Sequence, residues 1–262
     1  MGKKAKQQPA LNAPAAGGWK GKIYDAAAKF EAIAYRAASP LPSGRLKLWL
    51  DGFFRPQETY DRTGSVPLSE LFGNLLLFYF IYSAIFLAAM VAVTSLLAPA
   101  DAAMLGFEAP SDPLWSALTL LVANTIVSAI SALFAFALIF ASALALGGKG
   151  KCVRQSYSMS LVLCGSNALL LGVVACALLT FVPAYLLRGV FLAGEIASLA
   201  AILANVPLLL LCVAIILYTL YAYYLVVKKA HNLSSWRAAA AMLLAALLVL
   251  LVDFAARMAM GG

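Results

Sequence analysis

One histidine, four cysteines, a Gly-Gly-Lys-Gly-Lys run and a few amides inside apolar stretches are what this 262-residue chain offers to chemistry. His231 sits in the basic segment KKAHNLSSWR beside Lys228 and Lys229. A lone histidine supplies neither a metal site nor a catalytic triad, so its expected work is capping or hydrogen bonding at a helix end, or meeting lipid phosphates. Cys152, Cys164, Cys176 and Cys212 form no CxxC pair, and three of them fall in apolar stretches, where a thiol acts as a small apolar group. The GGKGK run at 147–151 lacks the length and the Ser or Thr of a phosphate-binding loop. It reads as a turn between helices. No catalytic, cofactor-binding or metal site is expected.

The amides are more informative. Asn124, Ser128 and Ser131 follow the i, i+4, i+7 spacing of one helix face, and Asn167 and Asn205 lie in two later apolar stretches. Such side chains hold membrane helices together, each contributing on the order of 0.6–2 kcal/mol, so packing is the first expectation for all five. A midplane polar site for a small solute, built from Asn124, Asn167 and Asn205, is the alternative. Charged groups at depth would point to a transport pathway. Only Glu195 and Asp253 come near, both at expected span ends.

The elements that must position these residues follow from composition. With 64% hydrophobic residues, 11% charged residues and a mean hydropathy of +0.92, the chain departs from soluble globular usage. Five apolar stretches, at about 70–98, 114–146, 157–187, 197–227 and 236–258, each match or exceed the roughly 17–25 residues that a helix needs to cross the hydrocarbon. The fold class is all-α: a polytopic bundle of five transmembrane helices over residues 66–262. Pro207 should kink the fourth of them.

Ahead of the bundle, residues 1–18 have the composition of a disordered basic tail. Residues 19–65 read as cytoplasmic amphipathic or interfacial helices, whose apolar faces lie on the headgroup boundary or pack on another part of the chain or on a partner. Ile23, Ala27, Phe30, Ile33 and Ala37 make one apolar stripe, and Leu46, Trp49, Leu50 and Phe53 make a second. Seventeen of the nineteen basic residues lie before the first span or in the two turns on the same side. That asymmetry places the N-terminus in the cytoplasm and the C-terminus outside. Trp115, Trp236, Tyr218, Tyr221, Tyr223 and Tyr224 fall near span ends, as an aromatic belt would. Phe30, Trp49, Phe53, Lys228, Lys229, His231 and Arg237 are therefore the candidate contacts with a protein partner or with anionic lipid headgroups. The basic charge serves membrane topology and headgroups rather than nucleic acid.

Two stretches resemble the Yip1 domain family. LDGFFRPQETYDR, after Trp49, looks like the family's proline-containing element just ahead of the membrane. LYTLYAYYLVVKKAHNLSSWRAAAAMLL resembles its tyrosine-rich span end, single histidine, small polar residues and following basic residue with Ala (Arg237, Ala238). The resemblance covers about residues 49–258. It implies a five-helix membrane domain of the Yip1 and Yif1 type with no enzymatic activity and no cofactor. Eukaryotic members sit in early secretory membranes and associate with one another and with small GTPases. This chain has no DLYGP-like or GYGP-like element, and its alanine-rich spans and short loops suggest the prokaryotic branch and a cytoplasmic membrane. The expected function is a membrane-organising or partner-recruiting scaffold acting through a basic cytoplasmic face, as a homo- or hetero-oligomer.

Overall fold

A computed structural model describes residues 28, 29, 31, 44–64, 66–96, 113–187 and 194–259. Every regular element among them is an α-helix: α1 (Gly44–Phe54), α2 (Pro56–Arg62), α3 (Leu68–Leu96), α4 (Pro113–Ala145), α5 (Cys152–Leu187), α6 (Gly194–His231) and α7 (Ser235–Ala259). The chain divides into two units, residues 1–47 and 48–262. In the first, residues 28, 29, 31 and 44–47 are helical. The basic tail and the whole of the first apolar stripe, Phe30 included, lie outside the described residues. All packing below belongs to the second unit.

Five helices are long and apolar enough to cross a membrane, with spans at Leu68–Ala88, Leu118–Ala145, Cys152–Ala177, Val206–His231 and Ser235–Ala255. The third begins five residues before its expected start because its polar opening, CVRQS, is helical and partly buried, with Gln155 and Ser156 inside the bundle. Polarity there marks interior hydrogen bonding rather than a boundary. α6 also runs beyond its expected limits, and its helix continues on both sides of Pro207.

α4 is the hub, packing against α3, α5, α6 and α7, while α5 and α6 form the most extensive pair. The reason is a repeating small or flat face. Thr125, Ala129, Ala132, Phe136, Ile139 and Ala143 are buried at alternating three- and four-residue spacing. On α7, Ala238, Ala241 and Ala245 are buried in the same manner and let its backbone approach closely. Farther along α6 and α7, Leu209, Leu210, Leu250, Leu251 and Phe254 are exposed, as suits side chains that meet lipid tails. Burial thus concentrates at the end of the bundle where α1 and α2 lie.

At that end α4 and α6 stop in the same way. Gly148 N–H donates to Ala143 O and Gly147 N–H to Leu144 O, both at 2.9 Å. Leu233 N–H donates to Lys228 O at 3.1 Å and Asn232 N–H to Lys229 O at 3.4 Å. These six-to-one and five-to-two pairs are Schellman motifs, with Gly147 (φ 87°) and Asn232 (φ 51°) in the left-handed position that releases the chain from the helix. The Arg237 guanidinium reaches the Gly147 turn, where a cation complements the end of a helix dipole. Replacing Gly147 by Ala forces a Cβ into the left-handed region, and thermal unfolding in detergent should register a loss of about 1–2 kcal/mol.

Candidate functional site

The second apolar stripe settles into the protein itself. Trp49, Leu50 and Phe53 of α1 are all buried. Trp49 Nε1–H donates to Asn74 Oδ1 of α3 at 2.7 Å, and its ring meets Phe78 edge-on at 5.4 Å. Asn74 Nδ2 in turn donates to Ser160 Oγ of α5 at 3.0 Å and lies 3.6 Å from Cys164 Sγ. One amide therefore joins three helices, and each polar atom buried at their junction has a mate. The fit is close enough to require glycine. A Cβ on Gly52 would stand 2.6 Å from Leu161 Cβ, and one on Gly165 would strike the Trp49 carbonyl oxygen and lie 2.7 Å from Phe53 Cβ.

α2 follows and is clasped by α5 and α6. Arg154 of α5 donates to Tyr60 O at 2.7 Å, and its guanidinium carbon lies 4.1 Å from the centre of the Tyr60 ring. That is a stacked, carbonyl-bonded geometry suited to a planar cation. Arg154 Nε is buried without an acceptor. Lys229 of α6 pairs with Asp61 at 3.1 Å. Tyr218 of α6 donates to Phe54 O at 3.2 Å and its ring packs on Phe53 at 4.9 Å. Pro56 at the first turn of α2 costs no hydrogen bond there and fixes the corner between the two helices.

His231, the last residue of α6, is buried. Gly150 N–H donates to its Nδ1 at 3.1 Å, so that nitrogen carries no proton, and Nε2–H is left to donate to Gln155 Oε1. The tautomer is fixed by its partners. The ring also packs on Phe140 at 5.3 Å. One imidazole thus ties the α4–α5 turn to the end of α6, the helix-end hydrogen bonding expected of it, with partners about 80 residues away in sequence.

The remaining candidates separate by location. Trp49, Phe53 and His231 are buried within the chain and present no surface to a partner or to lipid. Lys229 is exposed but held by Asp61, while Lys228 donates to Ser235 Oγ at 2.9 Å. Arg237, with Lys149 and Lys151 of the neighbouring turn, is exposed. Asn124 Nδ2 donates to Ser83 Oγ of α3 at 2.8 Å, and Ser128 Oγ lies 3.5 Å from Asn124 Oδ1. Asn124 and Ser131 are exposed, Asn167 is half-buried, and the Asn205 side chain lies outside the described ones. No hydrogen bond joins Asn124 to Asn167. Of the expected belt, Trp115 and Trp236 are exposed at helix starts and Tyr221 is exposed, but Tyr218 packs inward and Tyr223 meets Phe136 edge-on at 6.2 Å. Tyrosines near a span end serve an interior contact as readily as an interfacial one, because the ring is apolar and only the hydroxyl must be paired.

Sequence reasoning missed Asn74, Ser83, Arg154 and Gln155 as organising residues. The signal present was polarity inside or beside an apolar run, with no marker of which helix would answer it. Among the described residues no three His, Cys, Asp or Glu side chains gather into a metal-sized group, and the four cysteines are free thiols.

A five-helix membrane bundle with a short helical pair clamped across one end is the class of protein these features define. The Yip1 domain model matches residues 53–256, most of the chain, and the protein belongs to the Yip1 domain family. No curated protein and no solved structure gives a significant match.

Proposed function

We propose that this protein is a non-enzymatic scaffold of a prokaryotic cytoplasmic membrane, with its N-terminus in the cytoplasm. Its basic face gathers anionic lipid headgroups and, through them, organises the surrounding membrane. The observation that carries this reading is the clamp on α2. Arg154 and Lys229 fix that helix to α5 and α6, which makes a permanent surface beside the exposed cations Lys149, Lys151 and Arg237. Exposed cations near a membrane surface attract anionic headgroups. Of the amides that a midplane solute site would need, Asn124 is already bonded to Ser83 of α3.

The test is a triple charge reversal, Lys149→Glu, Lys151→Glu and Arg237→Glu, with lipids counted in nanodiscs cut from native membranes. Anionic lipid enrichment around the protein should fall at least threefold while helix content and topology stay unchanged. Equal lipid composition around both proteins would sink the proposal.

A further inference from the structure

Large apolar side chains are exposed along most of the bundle, but their exposure stops short of the end where α1 and α2 lie. On α4 they run from Trp115 to Phe134, on α6 from Val206 to Tyr221, and on α7, Trp236 apart, they begin at Leu243. Nearer that end these three helices expose mostly alanines (Ala137, Ala141, Ala239) and charges (Lys229, Arg237), with Leu144 and Trp236 as the exceptions. Phe136 meets Tyr223, so the limits on α4 and α6 share one level. They fall eleven residues before Ala145 and ten before His231, and Leu243 lies eight after Ser235, which is about 12–17 Å of helix at 1.5 Å per residue.

Two further observations set the same boundary. Trp115, at the opposite end of α4, is 67% exposed and suits a membrane interface. Phe134 lies nineteen residues from it, about 29 Å at 1.5 Å per residue, and a hydrocarbon layer is about 30 Å thick. The charges on α1 and at its corner with α2 give the second. Tyr218 bonds Phe54 O and packs on Phe53, with Asp51 and Arg55 partly exposed beside them in the chain. Tyr218 stands thirteen residues before the end of α6, about 20 Å. Hydrocarbon reaching that end would hold both charges about 20 Å deep, past its midplane, where ionised groups are expensive. A boundary at Tyr221 leaves them within about one helical turn of headgroups and water.

We propose that the hydrocarbon of the bilayer ends at the level of Phe134, Tyr221 and Leu243, and that the bundle projects about 12–17 Å beyond it as a collar bathed by headgroups and water, with α1 and α2 bound to its side. The tyrosine at the limit suits such a boundary, because its ring is apolar and its hydroxyl is not. What remains of each helix still crosses. α7 keeps seventeen residues from Leu243 to Ala259, α4 keeps twenty-two from Pro113 to Phe134, and α5 keeps twenty-three from Gly165 to Leu187, against the roughly 17–25 that a crossing helix needs. The Lys229 pair with Asp61 and the Arg154 bond to Tyr60 O then form outside the hydrocarbon. Lys149, Lys151 and Arg237 stand at the tip of the collar, and the placement holds whichever lipids they gather.

Single cysteines locate the boundary in nanodiscs, which leave both faces of the bilayer open. The four native cysteines are first replaced by alanine, and unchanged helix content and melting temperature confirm the fold of each variant. Gln57→Cys, Ala141→Cys and Ala239→Cys should then react with a small charged methanethiosulfonate about as fast as a restored Cys152, which is exposed at the start of α5. Val127→Cys and Leu250→Cys should react roughly a hundredfold more slowly, since only the thiolate attacks and apolar surroundings suppress it. All five native side chains are exposed, so packing within the chain does not decide the result. Protection of Gln57→Cys and Ala141→Cys equal to that of Val127→Cys would carry the hydrocarbon to the helix ends and overturn the proposal. So would reaction at Val127→Cys and Leu250→Cys as fast as at the collar.

Discussion

Gly165→Leu is expected to release α1 from the bundle. At Gly165 even a methyl group would strike the Trp49 carbonyl and crowd Phe53, and both neighbours are parts of a helix that cannot yield by a simple rotamer change. Overpacking of this type costs about 1–3 kcal/mol when the surroundings adjust. Here the cheaper adjustment is to lose the docking, because α1 is only eleven residues long and too short to be stable as a helix alone in water. Detachment strips Asn74 of its Trp49 donor and leaves Ser160 and Cys164 to satisfy one amide. Hydrogen–deuterium exchange of amides in residues 48–62 should rise at least tenfold, while exchange in α4 and α7 changes little. Protection of α1 that matches the wild type would show that the helices separate without undocking.

His231→Ala should be the most destabilising single change at the opposite corner of the same end. The variant leaves the Gly150 N–H without its acceptor and Gln155 Oε1, on a fully buried side chain, without its donor. Each abandoned buried group costs about 1–3 kcal/mol. The lost ring also vacates the space against Phe140, so the total is roughly 3–5 kcal/mol. His231→Phe separates the two contributions, since it keeps the packing on Phe140 and loses both hydrogen bonds. Its melting temperature should fall between those of His231→Ala and the wild type. Equal melting temperatures for all three would mean that the imidazole contributes nothing as a hydrogen-bonding group.

These two positions also show what could be learned from sequence. The five spans were legible because length and apolarity alone decide whether a helix can cross hydrocarbon. The stripe containing Trp49 and Phe53 was equally legible as a face, yet its destination was not. Amphipathicity demands that a face be covered and does not specify whether lipid or protein covers it. The glycine that receives Trp49 lies more than a hundred residues later in α5, and nothing local to either segment pairs them. His231 was legible as a helix-end hydrogen-bonding group, but its partners, a glycine amide and a glutamine, carry no distinctive motif. The tyrosines misled for a related reason: a ring near a span end looks the same in sequence whether it faces headgroups or Phe53.

The clamp across the end of the bundle has a consequence for the order of synthesis. Tyr60 precedes Arg154 by 94 residues, and Phe54 precedes Tyr218 by 164. At a translation rate of roughly 5–20 residues per second, α1 and α2 emerge about 5–30 s before the helices that receive them. Throughout that interval Trp49 has only Asn74 and Phe78 of α3 to meet, Phe53 has neither α5 nor α6 to enter, and a membrane surface is the nearest further apolar refuge. The amphipathic character that suggested a surface helix thus describes the nascent chain, and the buried helix describes the finished one.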